Sequence, residues 1–288
     1  MEKSRDVWTI SYLLNWTINY FKSKGIESAR LDAEVLLSHV LGQKRIYLYV
    51  HFDEPMEAKE LAKFREYVAK RARHIPVAYI LGQREFMGLD FKVTKDTLIP
   101  RPDTEILVEN TIAKVNENFG DKQSYDIVDI GTGSGAIILS LLKNLPKAKG
   151  FTVDISANAV AVAKENAQNL QVDDRCEFFV GDLFEPVKDK VFDVIVSNPP
   201  YIPQKDIATL EIDVKDYEPL LALTDNKDGL SFYQRLFAQG MKYLKNGGFM
   251  AGEAEPVKQM AIDNGWQNIE IIKDYAGIDR VVLAWKQN

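Results

Sequence analysis

A chain of 288 residues with 46% hydrophobic content is long enough for one large domain or two ordinary ones and apolar enough for a sizeable core. Its formal net charge of -6 argues against a surface given over wholly to nucleic acid, while leaving room for a local basic patch. One cysteine, Cys176, excludes an internal disulfide; Met1 to Asp6 carry no apolar signal core, and no apolar run approaches the roughly 20 residues that span a bilayer, so the expected setting is cytoplasmic, with no membrane partner.

From Val7 to about His74 the periodicity is helical. Trp8, Tyr12, Leu13, Trp16 and Tyr20 recur at three- and four-residue spacing, which predicts a helix burying that aromatic stripe, with Gly25 as its stop. Leu31 to Leu41, closed by Gly42, and Glu57 to Arg73, ended by Pro76, predict two more, giving an all-α domain over residues 1–75. Lys70, Arg71, Arg73 and His74 form the densest cationic run and read as a solvated helix face. Val77 to Leu81, Glu85 to Met87 and Leu89 to Val93, broken by Gly82 and Gly88, read as short strands of a β-hairpin connector over 76–98.

Over residues 99–288 strands and helices alternate. A helix is expected at Asp103 to Asn118, and strands at Asp126–Ile130, Gly150–Asp154, Cys176–Gly181, Phe192–Asn198, Phe249–Glu253, Ile269–Lys273 and Val281–Trp285. That rhythm calls for an α/β fold: a doubly wound, mostly parallel sheet of seven strands behind the helical domain.

The first of these strands runs through Gly131-Thr132-Gly133-Ser134-Gly135 into the apolar helix Ile137 to Leu142, a turn whose glycines let the backbone approach a ligand. Gly131, Gly133 and Ala136, with Asp154 about twenty residues on, also satisfy a dinucleotide fingerprint, so spacing leaves a nicotinamide cofactor open. Charge separates the two. Asp129, Asp154 and Asp182 fall at the ends of successive strands, and the glycine turn carries no Lys or Arg to meet a pyrophosphate. S-adenosylmethionine has no phosphate, carries a sulfonium and an ammonium, and offers ribose hydroxyls to a carboxylate. The expected roles are Asp154 on the ribose, Asp182 with Leu183 at the adenine edge, and Gly131 to Gly135 against the methionine moiety. No G-K-[ST] follows the glycines, which sets ATP aside, and no metal is expected.

The apolar, β-branched run Val191 to Val196 leads almost straight into Asn198-Pro199-Pro200-Tyr201. Two prolines remove two backbone donors and fix two φ angles, leaving a stiff loop that accepts hydrogen bonds. An NH2 on an sp² carbon can donate one hydrogen to the Asn198 side chain and one to a carbonyl such as that of Pro199, with Tyr201 stacked on the planar group. His39, His51 and His74 all precede the expected catalytic domain, so catalysis is expected by orientation and electrostatics, with Asn198 also beside the cofactor.

These residues resemble the class I S-adenosylmethionine-dependent methyltransferases of the HemK/PrmC type, the peptide chain release factor glutamine methyltransferases. The resemblance runs through Pro76–Gly82, Leu98–Glu105, Asp129–Ala136, Asp182–Pro186, Ser197–Ile202, Asp216–Pro219, Asp228–Leu230 and Ala276–Arg280. Asn-Pro-Pro-Tyr is shared with adenine-amino DNA methyltransferases, whereas Pro100-Arg101-Pro102-Asp103-Thr104-Glu105 looks specific to this family. It implies a Rossmann-like fold, methylation of the glutamine amide in the Gly-Gly-Gln motif of release factors, and an N-terminal domain that helps hold the release factor. The chain departs from the family's late Glu-Ile-Gly, reading Gly252-Glu253-Ala254-Glu255 instead. An adenine-amino methyltransferase on flipped DNA or RNA bases, a nicotinamide oxidoreductase and a non-catalytic binding module remain the rival readings; nucleic acid is the less expected substrate because bulk charge opposes it.

Overall fold

A computed structural model of the chain describes residues 8–253, 257–274 and 277–286, with Glu253 described in its backbone only. Met1 to Asp6, Ala254, Glu255 and Ala276 therefore lie outside the described residues. Two compact units form: one runs to Gly82 and includes Ile212–Tyr217, the other takes Gln83–Glu211 and the chain from Glu218 onward. Among the described residues no helix is long and apolar enough to cross a membrane.

The first unit is built on helices Ile10–Ser23, Ala29–Leu41 and Ala58–Arg71, with a short fourth at Tyr47–Val50. Thr9 opens the first helix by accepting the Tyr12 backbone N–H at 3.3 Å, and Glu57 with Glu60 forms a capping box on Ala58–Arg71. Phe21, Leu36, Leu37 and Phe64 are among its most enclosed side chains.

Three expectations fail in this unit. The face that the first helix buries is Ile10, Leu13, Thr17 and Phe21, while Tyr12 and Trp16 are 48% and 46% exposed. Of the predicted stripe Leu13 is buried and Trp8 and Tyr20 pack against the core from its edge, while Tyr12 and Trp16 lean on their aromatic neighbours, with ring centroids 5.0 Å apart for Trp8–Tyr12 and 5.2 Å for Trp16–Tyr20. Four-residue spacing reports a shared helix face without saying which face is covered. Arg71 is buried rather than solvated, pairing with Asp32 at 2.7 Å and Asp213 at 2.8 Å; a buried guanidinium needs such partners, so it adds nothing to a nucleic-acid footprint. Val77–Leu81 is a helix, not a strand, entered from Pro76 and closed by Gly82 at φ +75. Five apolar residues are too few for periodicity to decide, and the flanking proline and glycine were the start and stop signals.

In the second unit β1 (Gln83–Phe86) and β2 (Leu89–Lys92) form an antiparallel hairpin. Then come β3 (Tyr125–Ile130), β4 (Ala148–Asp154), β5 (Cys176–Val180), β6 (Phe192–Ser197), β7 (Leu244–Glu253), β8 (Gln267–Lys273) and β9 (Asp279–Trp285). They make the expected seven-stranded sheet in the order β5-β4-β3-β6-β7-β9-β8, parallel from β5 to β7, with β9 alone reversed, antiparallel to both β7 and β8. β7 is longer than expected because the Gly247-Gly248 pair lies inside it, at a register shift against β6. Separate apolar clusters form around Leu139 and Phe249 and around Phe192 and Tyr233, so the central strands β3 and β6 are buried almost throughout. β3 is where the strand order reverses: the chain leaves it for β4 on one side and returns as β6 on the other. In a sheet of this kind the crevice beyond the strand ends at that point is where a ligand sits.

Candidate active site

Strand register assembles the site. Asp129 pairs with Val196 across β3 and β6, and the Ser197 hydroxyl donates to the Ile130 carbonyl at 2.7 Å, so Asn198 emerges beside the Gly131 turn. On the other side the Gly131 N–H donates to the Val153 carbonyl at 2.8 Å and the Gly181 N–H to the Asp154 carbonyl at 3.0 Å. The glycine turn, Asp154 and Gly181-Asp182 therefore line up at successive strand ends.

Gly131 and Gly133 stand at φ +80 and +55, and a Cβ built on either would meet nothing within 4 Å. The turn thus presents bare backbone to open space, which suits close approach by a ligand and which side chains would both strain and fill. Thr132 and Ser134 are buried, and the Thr132 hydroxyl donates to Asp129 Oδ2 at 2.9 Å. The other Asp129 oxygen is enclosed without a hydrogen-bond partner. Burial, reinforced by Asp154 and only partly offset by the Thr132 hydroxyl and the nearby Ile138 backbone N–H, pushes this carboxyl up to about 7. An orphaned buried acid opposite an open glycine turn fits a cofactor with a cationic end.

Asp154 accepts the Gly133 N–H at 2.8 Å on one oxygen and the Ser156 N–H at 2.9 Å on the other. Burial raises its titration, these two backbone donors oppose the rise, and each oxygen keeps a lone pair for a further donor. Asp182 has a partner that the sequence did not announce: Arg235, on the helix Ser231–Gly240, closes an ion pair with it. The rim is thus less acidic than charge counting suggested. Leu183 is buried at φ +48 with its side chain in the core, which leaves its backbone as the part able to face a ligand.

At the end of β6 the Asn198 side chain donates from Nδ2 to the Thr104 hydroxyl at 3.1 Å, and among the described residues its Oδ1 accepts no hydrogen bond. Pro199 is buried, Pro200 half-buried and Tyr201 exposed. Gly229 supports the loop from below: at φ +82 it packs so closely that a Cβ there would lie 2.1 Å from the Tyr201 carbonyl oxygen. Asp225 shapes this support by accepting the N–H groups of Lys227, Gly229 and Ser231 at 2.8, 2.9 and 2.9 Å. Burial works against its charge, but those donors and the Ser231 side chain hold it down to about 2.

Thr104 and its neighbours were not recognised as part of the site from residue chemistry. Glu218 binds the Ile99 N–H at 3.1 Å and pairs with Arg101, Arg280 reaches Asp103 at 3.4 Å, and Glu105 accepts the Met87 N–H at 2.7 Å. Segments distant in sequence thus converge on the start of the helix Asp103–Phe119 and hold it. The one available signal was that these residues recur together in the motifs read above.

Residues 12–82 match the PrmC N-terminal domain family, and residues 104–213 the methyltransferase small domain family. A release factor glutamine methyltransferase of Geobacter sulfurreducens is 44% identical over 98% of each chain. One of Rhodopirellula baltica is 42% identical over 99% of each, and one of Clostridium acetobutylicum 43% identical over 88% of this chain and 90% of its own. Among solved structures, the hMettl16 catalytic domain in complex with the MAT2A 3′UTR hairpin 6 is similar at TM-score 0.55 and 20% identity, covering 77% of this chain and 82% of that one; the likeness is one of fold.

Proposed function

The chain belongs to the release factor glutamine methyltransferase family, and from that premise we propose that the loop Asn198-Pro199-Pro200-Tyr201 holds the amide of the glutamine in the release factors' Gly-Gly-Gln motif for N-methylation. The observation that carries this reading is the Asn198 side chain, placed at the strand-order reversal with its Oδ1 unpartnered among the described residues.

S-adenosylmethionine supplies the methyl group on a positively charged sulfur. The protein's own residues bind and orient. Asp154 offers its remaining lone pairs to ribose hydroxyls, Asp182 and the Leu183 backbone border the adenine, Gly131 to Gly135 lie against the methionine part, and Asp129 faces its charge. Asn198 Oδ1 and the Pro199 carbonyl accept the two hydrogens of the substrate amide. An amide nitrogen is a poor nucleophile because its lone pair is delocalised; fixing both N–H bonds favours pyramidalisation and aims the pair. Tyr201 covers the planar group. His39, His51 and His74 belong to the first unit, and no histidine occurs in the second, so the proton leaves to water after transfer. The same reading gives the helical domain, residues 1–75, a part in holding the release factor, and the protein a cytoplasmic setting beside the ribosome.

Two tests follow from this assignment. Given methyl-labelled S-adenosylmethionine, the protein is expected to label a release factor and to leave adenine-containing DNA and RNA unlabelled; label recovered in adenine would overturn the reading in favour of a nucleic-acid substrate. Gly229→Ala is expected to displace the Tyr201 backbone, cutting kcat/KM for the release factor by about tenfold or more at unchanged cofactor affinity. Steady-state kinetics with calorimetry would check it, and normal kinetics would remove Tyr201 from the clamp.

A further inference from the structure

We propose that Thr104 is a positioning residue for this reaction, its hydroxyl holding the Asn198 amide in the one orientation that can receive the substrate. The inference rests on the function proposed above and names a residue that function does not require. A side-chain amide has nearly the same shape when turned by half a rotation, but one orientation offers the substrate an acceptor and the other a donor pair. Only the first can hold an NH2 group; the second sets donors against donors. Asn198 Nδ2 lies 3.1 Å from Thr104 Oγ1, and among the described residues this is the only hydrogen bond of the Asn198 side chain. Thr104 Oγ1 serves as the acceptor in this bond, and with Nδ2 so engaged Oδ1 is the atom left for the substrate.

Thr104 is suited to that task because it does not move freely. It is 4% exposed, and its backbone N–H donates to the Arg101 carbonyl at 3.1 Å in the first turn of its helix. Its neighbours Arg101, Asp103 and Glu105 are tied to Glu218, Arg280 and Met87 respectively. Those ties fix the oxygen that the Asn198 amide addresses. A valine in its place would keep the shape and remove the acceptor, leaving Nδ2 to seek another partner and freeing the amide to turn.

The test compares wild type, Thr104→Val, Thr104→Ser and Asn198→Ala, alone and with Thr104→Val added, in methylation of a release factor, with calorimetry of S-adenosylmethionine binding and thermal melting alongside. Thr104→Val is expected to lower kcat by about tenfold to a hundredfold with KM and cofactor affinity within about twofold of wild type, and Thr104→Ser to recover most of the loss. In the Asn198→Ala background Thr104→Val should have no further effect, since the group it orients is gone. Thr104→Ala removes the same hydroxyl without adding a methyl, and must show the same loss should the valine variant fold poorly. Wild-type kcat in the folded variants, no rescue by serine, or losses that multiply with Asn198→Ala would overturn the inference. A wild-type protein that leaves the release factor unmethylated would instead overturn the function on which it rests.

Discussion

Asn198→Ala is expected to leave S-adenosylmethionine binding intact and to cut turnover by about a hundredfold or more, the scale seen when one preorganised transition-state hydrogen bond is lost. Although Asn198 is expected beside the cofactor, on the proposed reading other groups hold it. Gly131 and Gly133 supply backbone, and Asp154 is already fixed by the Gly133 and Ser156 N–H groups. On the proposed reading the substrate side depends on Asn198, because two prolines leave few donors or acceptors besides carbonyls, and its side chain stands at the end of β6 with Oδ1 unpartnered among the described residues. The effect should fall on kcat more than on KM, since the bond strengthens as the nitrogen pyramidalises. Kinetics of the variant with calorimetry decide the point; unchanged turnover would remove Asn198 from the chemistry.

Asp129→Asn is expected to strengthen the cofactor-free fold while weakening cofactor binding. Burial, helped by Asp154 and opposed by Thr132, raises the folded-state carboxyl from 3.8 to about 7. The folded protein thus holds this proton more tightly than the unfolded chain, so the group's contribution to stability is complete below its unfolded value and is lost as pH rises to about 7. At about pH 8 the wild type carries a buried charge with one oxygen unpartnered, and the asparagine variant, free of that charge, should melt at a higher temperature. A cofactor with a cationic end prefers the carboxylate. Binding below about pH 7 should therefore release a proton and tighten as pH rises from about 6 to about 7.5, whereas the variant should bind about tenfold or more weakly with a flat profile over that range. Calorimetry in buffers of different ionisation enthalpy measures both. A variant that retains affinity and pH dependence would place the cation elsewhere.

The sheet was legible because its signals are local and redundant. Buried β-branched runs such as Phe192 to Val196, each followed by turn residues or a helix, fix strand positions, and the glycine turn after Ile130 fixes the reversal point. The placement of Asp129, Asp154 and Asn198 was legible for the same reason, since each sits within a residue or two of a strand terminus. What was not legible depends on partners distant in sequence. Asn198 meets Thr104 across 94 positions, Arg235 meets Asp182 across 53, and Arg71 is buried by Asp32 across 39. No periodicity encodes such pairs. The aromatic stripe from Trp8 to Tyr20 was misread for another reason: amphipathic spacing marks a face, and which of two adjacent apolar faces is covered depends on what packs against it.

The most direct measurement is a crystal structure of the protein with S-adenosylhomocysteine and a Gly-Gly-Gln peptide. The glutamine amide nitrogen is expected within about 3 Å of both Asn198 Oδ1 and the Pro199 carbonyl oxygen, with its free face toward the cofactor sulfur. An amide turned so that its oxygen meets residue 198, or a glutamine seated away from the end of β6, would contradict that arrangement.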